Sequence, residues 1–217
     1  MADVRKVIVL SLLCVLCAGC QSMYFSAMEK VGIHKRDILI DRVEDAREAQ
    51  QETKEQFQSA LAAFSALTGF DGGDLEARYK DLKEVLARSE AKADEVHHRI
   101  NAVEDVAEAL FDEWQDELEL YSSASMRRSS EQQLHDTQRR CAQLVTSMRR
   151  AEMKIEPVLT PLRDQVLYLK HNLNARAVAA LRSELSDVQN DVARLVQELE
   201  KAVDEADRFI ADLESQR

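Results

Sequence analysis

The sequence predicts an all-α fold: an elongated antiparallel helical bundle with coiled-coil heptad packing, built from four long helices or, as the alternative, three. Three observations predict it. Apolar residues recur at alternating steps of three and four along most of the chain, which is the 3.5-residue period of helices in left-handed packing. Only five glycines and two prolines occur in 217 residues, so little interrupts a helix. Aromatics make up 5% of the chain while Ala, Leu, Glu, Asp and Arg abound, a composition of long helices.

The N-terminus precedes the bundle. Arg5 and Lys6 lead into an apolar run, residues 7–16, broken only by Ser11. The run is too short to span a bilayer and reads as a secretory signal over residues 1–19. Leu16-Cys17-Ala18-Gly19-Cys20 resembles the lipobox of bacterial lipoprotein precursors, with one departure. Cys17 stands three before the cysteine, where Leu is usual. The resemblance implies acylation of Cys20, with palmitate among the chains, and membrane attachment through them. Each buried methylene contributes about 0.8 kcal/mol, so two or three chains hold durably. Gln21 after the cysteine implies the outer membrane, on its periplasmic face. The alternative is a plain signal peptide and a soluble periplasmic protein. Residues 20–35 then form a lipid-anchored tether and residues 36–217 the bundle.

The first helix carries the seam Leu39, Val43, Ala46, Gln50, Thr53, Phe57, Ala60, Phe64, Leu67. Its two polar members predict a loosely packed middle or a neighbouring chain. Residues 68–74 hold the glycine cluster, with Gly69 suited to a C-cap and Asp74 to an N-cap. As a calcium or phosphate loop this turn lacks the ligand count and the lysine. The second helix keeps strict alternation from Leu75 through Leu82, Ser89, Val96, Val103 and Leu110 to Trp114, fails at Glu117 and recovers at Tyr121. Residues 122–125 are the second turn.

The third helix runs through Leu134, Cys141, Met148, Ile155, Leu162 and Leu169 to Leu173. Two consecutive four-residue steps around Ile155 make a stutter. Pro157 and Pro161 lie beside it, each removing a backbone donor, which predicts a kinked but continuous helix. Residues 172–174 are the third turn, with Asn174 capping a last helix seamed from Leu181 to Leu213. Four helices of roughly 40 to 50 residues, each about 60 to 75 Å long, with short connections, give an up-down-up-down order.

Charge supports that order. Residues 74–121 carry fifteen acids and six bases, and residues 122–174 five acids and nine bases, so these neighbours attract along their flanks. Loss of residues 1–19 removes two bases and one acid and takes the formal charge from −11 to −12. Such a chain excludes nucleic acid, which demands a basic footprint.

The chemistry-bearing residues are few. Arg127, Arg128, Arg139, Arg140, Arg149 and Arg150 form three pairs on one helix. They read as an anion-binding stripe for lipid headgroups or an acidic partner, or as partners for the acidic second and fourth helices. Cys141, on a core position, reads as a buried small hydrophobe. Asp94, His97 and His98 lack the Glu-x-x-His pairs of a di-iron bundle, so no metal or cofactor is expected. No GxSxG, HExxH or Cys-His pairing appears. The chain reads as a non-enzyme, with a cell-wall hydrolase the remaining catalytic alternative. Trp114 reads as core, and Tyr121 with Tyr168 as one aromatic cluster at a bundle end.

Three stretches, LTGFDGGDLEARY (residues 67–79), ALFDEWQDELELYSSAS (109–125) and DQVLYLKHNLNARAVAAL (164–181), resemble a family of bacterial predicted lipoproteins known as domain of unknown function 2959. The resemblance implies a helical, exported, lipid-anchored protein and brings no catalytic residues. The expected function is structural or adaptor work in the cell envelope with an unidentified protein partner. The alternative is a carrier of anionic envelope lipid. A homo-oligomer is expected from the polar Gln50, Thr53 and Ser89 in otherwise apolar seams.

Overall fold

The structure, a computed structural model, describes residues 34–215. Among them lie α1 (Lys35–Thr68), α2 (Leu75–Glu117), a 3-10 turn (Leu118–Leu120), α3 (Ala124–Glu152), α4 (Glu156–His171), α5 (Ala175–Leu181) and α6 (Leu185–Ser215), and no strand. α2 and α6 each pack against both α3 and α4, while α1 packs against α2, α5 and α6. Four rods result: α1, α2, α3 with α4, and α5 with α6.

Ion pairs between rods fix their directions. Arg99 meets Asp45 at 2.9 Å and Lys92 meets Glu52 at 2.5 Å, so α2 runs against α1. Arg47 meets Asp207 at 2.8 Å and Lys54 meets Glu200 at 3.5 Å, so α6 also runs against α1. Arg149 with Glu104 and Arg163 with Glu90 set α3–α4 against α2. The order is up-down-up-down. The near end holds the start of α1, the α2–α3 turn and the close of α6; the far end holds the other two turns.

The heptad seams form the core. Every member of the first seam is buried, including Gln50 and Thr53 at 0% exposure. Those residues therefore face the interior of this chain and offer nothing to a second copy. Thr53 Oγ1 donates to the Lys92 carbonyl at 3.5 Å. Gln56 Nε2 donates to the Val85 carbonyl at 3.1 Å and to Ser89 Oγ at 3.2 Å. Val85 and Val106 are buried beside the second seam and widen its apolar stripe.

The caps lie where the residue types require them. Asp74 accepts from the Ala77 N–H at 3.0 Å, Ser123 from Met126 at 3.4 Å and Asn174 from Ala177 at 3.0 Å. Gly69 closes α1 at φ −80°, so it is there for space: a Cβ would lie 3.2 Å from the Ser65 carbonyl oxygen. Gly73, at φ 110°, takes the left-handed turn that L side chains resist.

Four expectations need correction. The third helix is interrupted at residues 153–155. Pro157 has no N–H for the Met153 carbonyl, and the chain tightens to three-residue bonds from Lys154 to Ala151 and Ile155 to Glu152. Ile155 stays right-handed at φ −71°, ψ −50°, so the seam passes through although the α-ladder does not. The fourth helix is interrupted too, at residues 182–184. There Arg182 turns away to hold the Thr68 carbonyl at 2.6 Å and the Phe70 carbonyl at 3.2 Å. The second helix ends at Glu117, and Leu118 of the 3-10 turn fills the core position expected of Tyr121. Finally Leu173, the last seam member of the third helix, is exposed.

Candidate functional site

Successive residues of an α-helix point about 100° apart, so the two members of each arginine pair diverge. Arg149 turns toward α2. It bonds Glu104, Glu152 at 2.9 Å and the Asn101 side-chain carbonyl at 2.5 Å. Arg127 pairs with Glu119 and Arg140 with Asp212 of α6. Arg128, Arg139 and Arg150 are eleven residues apart, close to three full turns, and all are exposed on one outward strip of α3. Arg139 bonds Asp136 on its own helix at 2.5 Å. Arg128 and Arg150 are exposed, and Arg150 is near enough to Glu198 of α6 to help Lys201 hold its carboxyl below the usual range. Arg139 and Arg150 border a groove of about 640 Å³ between α3 and α6, floored by Gln143, Thr146 and Ser147 and closed by Glu205.

The flank pairs are electrostatically settled. Burial works against the Glu152 charge, but hydrogen bonds from Arg149 and His97 outweigh it and hold the carboxyl below its usual range. The His97 Nδ1 lies 2.6 Å from Glu152 Oε1. Burial and the charge of Glu104 push the Cys141 thiol up to about 11, so at neutral pH it is a protonated core side chain without nucleophilic character.

Near the start of α1, a cleft of about 440 Å³ is lined by Lys35, Arg36, Glu113, Trp114, Glu117 and Leu213 among others. Its polar groups tie the rods together: Lys35 meets Glu113 at 3.0 Å, and Arg36 Nη2 donates to the Leu213 carbonyl at 2.7 Å. Trp114 is only partly buried, and its Nε1–H donates to Ser130 Oγ at 2.8 Å. His34 and Glu117 also line the cleft. Among the described residues no group of three or more His, Cys, Asp or Glu side chains is arranged to hold a metal ion.

Apolar exposure falls elsewhere. Seven large apolar side chains are exposed among the described residues, and six lie at the ends of the bundle. Leu120 at 82%, Tyr121 at 40% and Met126 at 60% cap the near end; Leu167, Tyr168 and Leu173 cap the far end. Only Met153, at the break in the third rod, lies between. Tyr121 and Tyr168 therefore belong to opposite ends and form no common cluster, because the second and third rods run in opposite directions. Phe70 packs partly buried against the far end of the core.

Cys20, the signal over residues 1–19 and the tether as far as residue 33 lie outside the described residues. Residue 35, expected in the tether, is already the first of α1. No helix among the described residues is long and apolar enough to cross a membrane. Sequence reading missed Arg182, the Trp114–Ser130 bond and the exposed Leu120 and Met126. The eleven-residue spacing of Arg128, Arg139 and Arg150 was the available signal for the outward strip.

A family model described as "Protein of unknown function (DUF2959)" matches residues 24–213. No curated protein and no solved structure matches the chain.

Proposed function

The chain belongs to the DUF2959 family of proteins of unknown function, and we propose that it serves as a non-catalytic, lipid-anchored rod, a spacer or adaptor in the bacterial cell envelope. One observation carries this reading: the exposed large apolar side chains gather at the two ends of a bundle whose flanks are charged and paired. The 34 residues of α1 span about 51 Å and the 43 residues of α2 about 65 Å, at 1.5 Å each. A rod sticky at its tips and charged along its sides suits a bridge between two surfaces. Acylation at Cys20 fixes the near end to the outer membrane on its periplasmic face, and the far end presents Leu167, Tyr168 and Leu173 to a protein partner. The family match starts just beyond Cys20, which supports a leader that is removed.

Photo-crosslinking in intact cells tests this. A crosslinking residue at position 168 is expected to capture one discrete envelope protein, while one at the flank position 194 captures none. Adducts from the flank alone would contradict the adaptor reading.

A second reading is favoured by the outward strip of Arg128, Arg139 and Arg150, which faces solvent on an otherwise acidic protein. Such a strip suits anionic lipid headgroups. Salt-dependent binding to phosphatidylglycerol vesicles is then expected to weaken in the Arg128→Ala/Arg150→Ala double variant and persist in Arg140→Ala, whose arginine is paired. Equal binding by both variants would remove this reading.

A further inference from the structure

We propose that the near-end tip, Leu120 and Tyr121 with Met126, dips into the lipid surface and holds the rod upright on the membrane that anchors it. The inference rests on the reading of Cys20 as acylated.

The chain's own length selects the occupant. Residues 21–34 separate Cys20 from the start of α1 at Lys35. Fourteen residues span at most about 50 Å when fully extended. The near end of the bundle is therefore the end held closest to the bilayer, and it is the end that exposes Leu120, Tyr121 and Met126. Among the described residues no other part of the bundle combines that proximity with large exposed apolar side chains.

The chemistry of the tip fits the headgroup boundary. Leu120 is almost bare, and Met126 stands on the first turn of α3. Tyr121 offers an apolar ring with a polar hydroxyl, the combination that settles at membrane interfaces. Between them lie Ser122, Ser123 and Ser125, whose hydroxyls suit the hydrated layer. Residues 116–128 carry the charges Asp116, Glu117, Glu119, Arg127 and Arg128. Glu119 is paired with Arg127, which leaves Arg128 against Asp116 and Glu117, so this segment stays acidic and its insertion rests on the apolar side chains. A weak insertion suffices, because a tethered tip meets the surface at an effective concentration near millimolar. An acyl anchor alone fixes position; a second contact at the same end fixes orientation and directs the far end away from the membrane.

Depth-dependent fluorescence quenching tests the inference on full-length protein purified from membranes and reconstituted into vesicles. In a Trp114→Phe background, Tyr121→Trp reports on the near end and Tyr168→Trp on the far end. Circular dichroism confirms that each variant is folded, and the mass of the N-terminal peptide reports acylation. With lipids brominated near the headgroup, the Tyr121→Trp emission is expected to fall about twofold while Tyr168→Trp is unchanged. Adding Leu120→Ser and Met126→Ser restores the Tyr121→Trp emission. An acylated, vesicle-bound protein with no quenching at position 121 overturns the tip and leaves the anchor intact. A chain without acyl mass that stays free of vesicles overturns both. A crosslinker at position 121 that captures a second copy or another protein in cells, with no quenching by lipid, replaces the bilayer with a protein and likewise overturns the proposal.

Discussion

Gln50 is wholly buried, and neither its Nε2 nor its Oε1 has a hydrogen-bond partner in the protein. The ion pairs flanking it set its level opposite residues 92–99 of α2 and 200–207 of α6. The core there places the small side chains Ala46, Ala49, Ala202 and Ala206 beside Val96. An unsatisfied buried amide costs about 1–3 kcal/mol, while a polar core residue helps fix the register of packed helices. Gln50→Met, similar in volume, is expected to raise the unfolding free energy by about 1–3 kcal/mol in urea titration. A fall would mean that an internal water satisfies the amide. Cys141 makes a second case. With its thiol pushed up to about 11 by burial and by Glu104, the native protein is expected to resist iodoacetamide at pH 8 and to react once unfolded. Rapid modification of the native fold would contradict its burial.

At the level of elements, the starts of α2, α3 and α5 each depend on one side chain. Asp74→Ala and Asn174→Ala each remove the only side-chain acceptor at a cap and are expected to cost about 1 kcal/mol by thermal unfolding, with Asn174→Gly costing a few tenths. No change on Asp74→Ala would mean that water replaces the cap in full. These caps were legible in sequence because the turn residues and the heptad seams agreed on where each helix begins. The breaks at residues 153–155 and 182–184 were not. Periodicity reports which face is buried, and the face stays continuous through Ile155 even where the backbone tightens to three-residue bonds. Pro157 was seen, but its effect was read as a bend, whereas the missing donor opens the ladder. Arg182 was invisible to pattern reading because its partners, the Thr68 and Phe70 carbonyls, are more than a hundred residues away. The shared tyrosine cluster was an error of topology: alternating rods already separate Tyr121 from Tyr168. The six arginines were legible as a group but not as three outward and three on the flanks, because that division needs the positions of the neighbouring helices.

The molecule as a whole is an acidic rod, many of whose carboxylates are paired with bases across rods and along them. Glu95 is held below its usual range by Lys92, Glu198 by Lys201, and Glu156 by Thr160 and then Arg163, while Glu152 is lowered against its burial by Arg149 and His97. Each depressed carboxyl binds its proton more readily in the unfolded chain. The stability it adds is complete above the unfolded value of about 4.5 and drains as pH falls through the lower folded value. Glu156 is exposed and the other three are half-buried, and solvent screening keeps the contribution of each pair small. The thermal midpoint is expected to stay level from pH 5.5 to 8 and to drop below about pH 4.5, with a shallower drop in Arg149→Met. A maximum at the isoelectric point near 5.0 would show that net charge governs stability instead of the pairs. The central claim is that this bundle is a rod fastened by lipid at one end. Growing the source cells with labelled palmitate, then capturing the full-length protein from separated membrane and soluble fractions, tests it most directly. Label on the wild-type chain in the membrane fraction, absent from Cys20→Ala, is the predicted result; an unlabelled wild-type chain recovered with the cytosol would contradict the account.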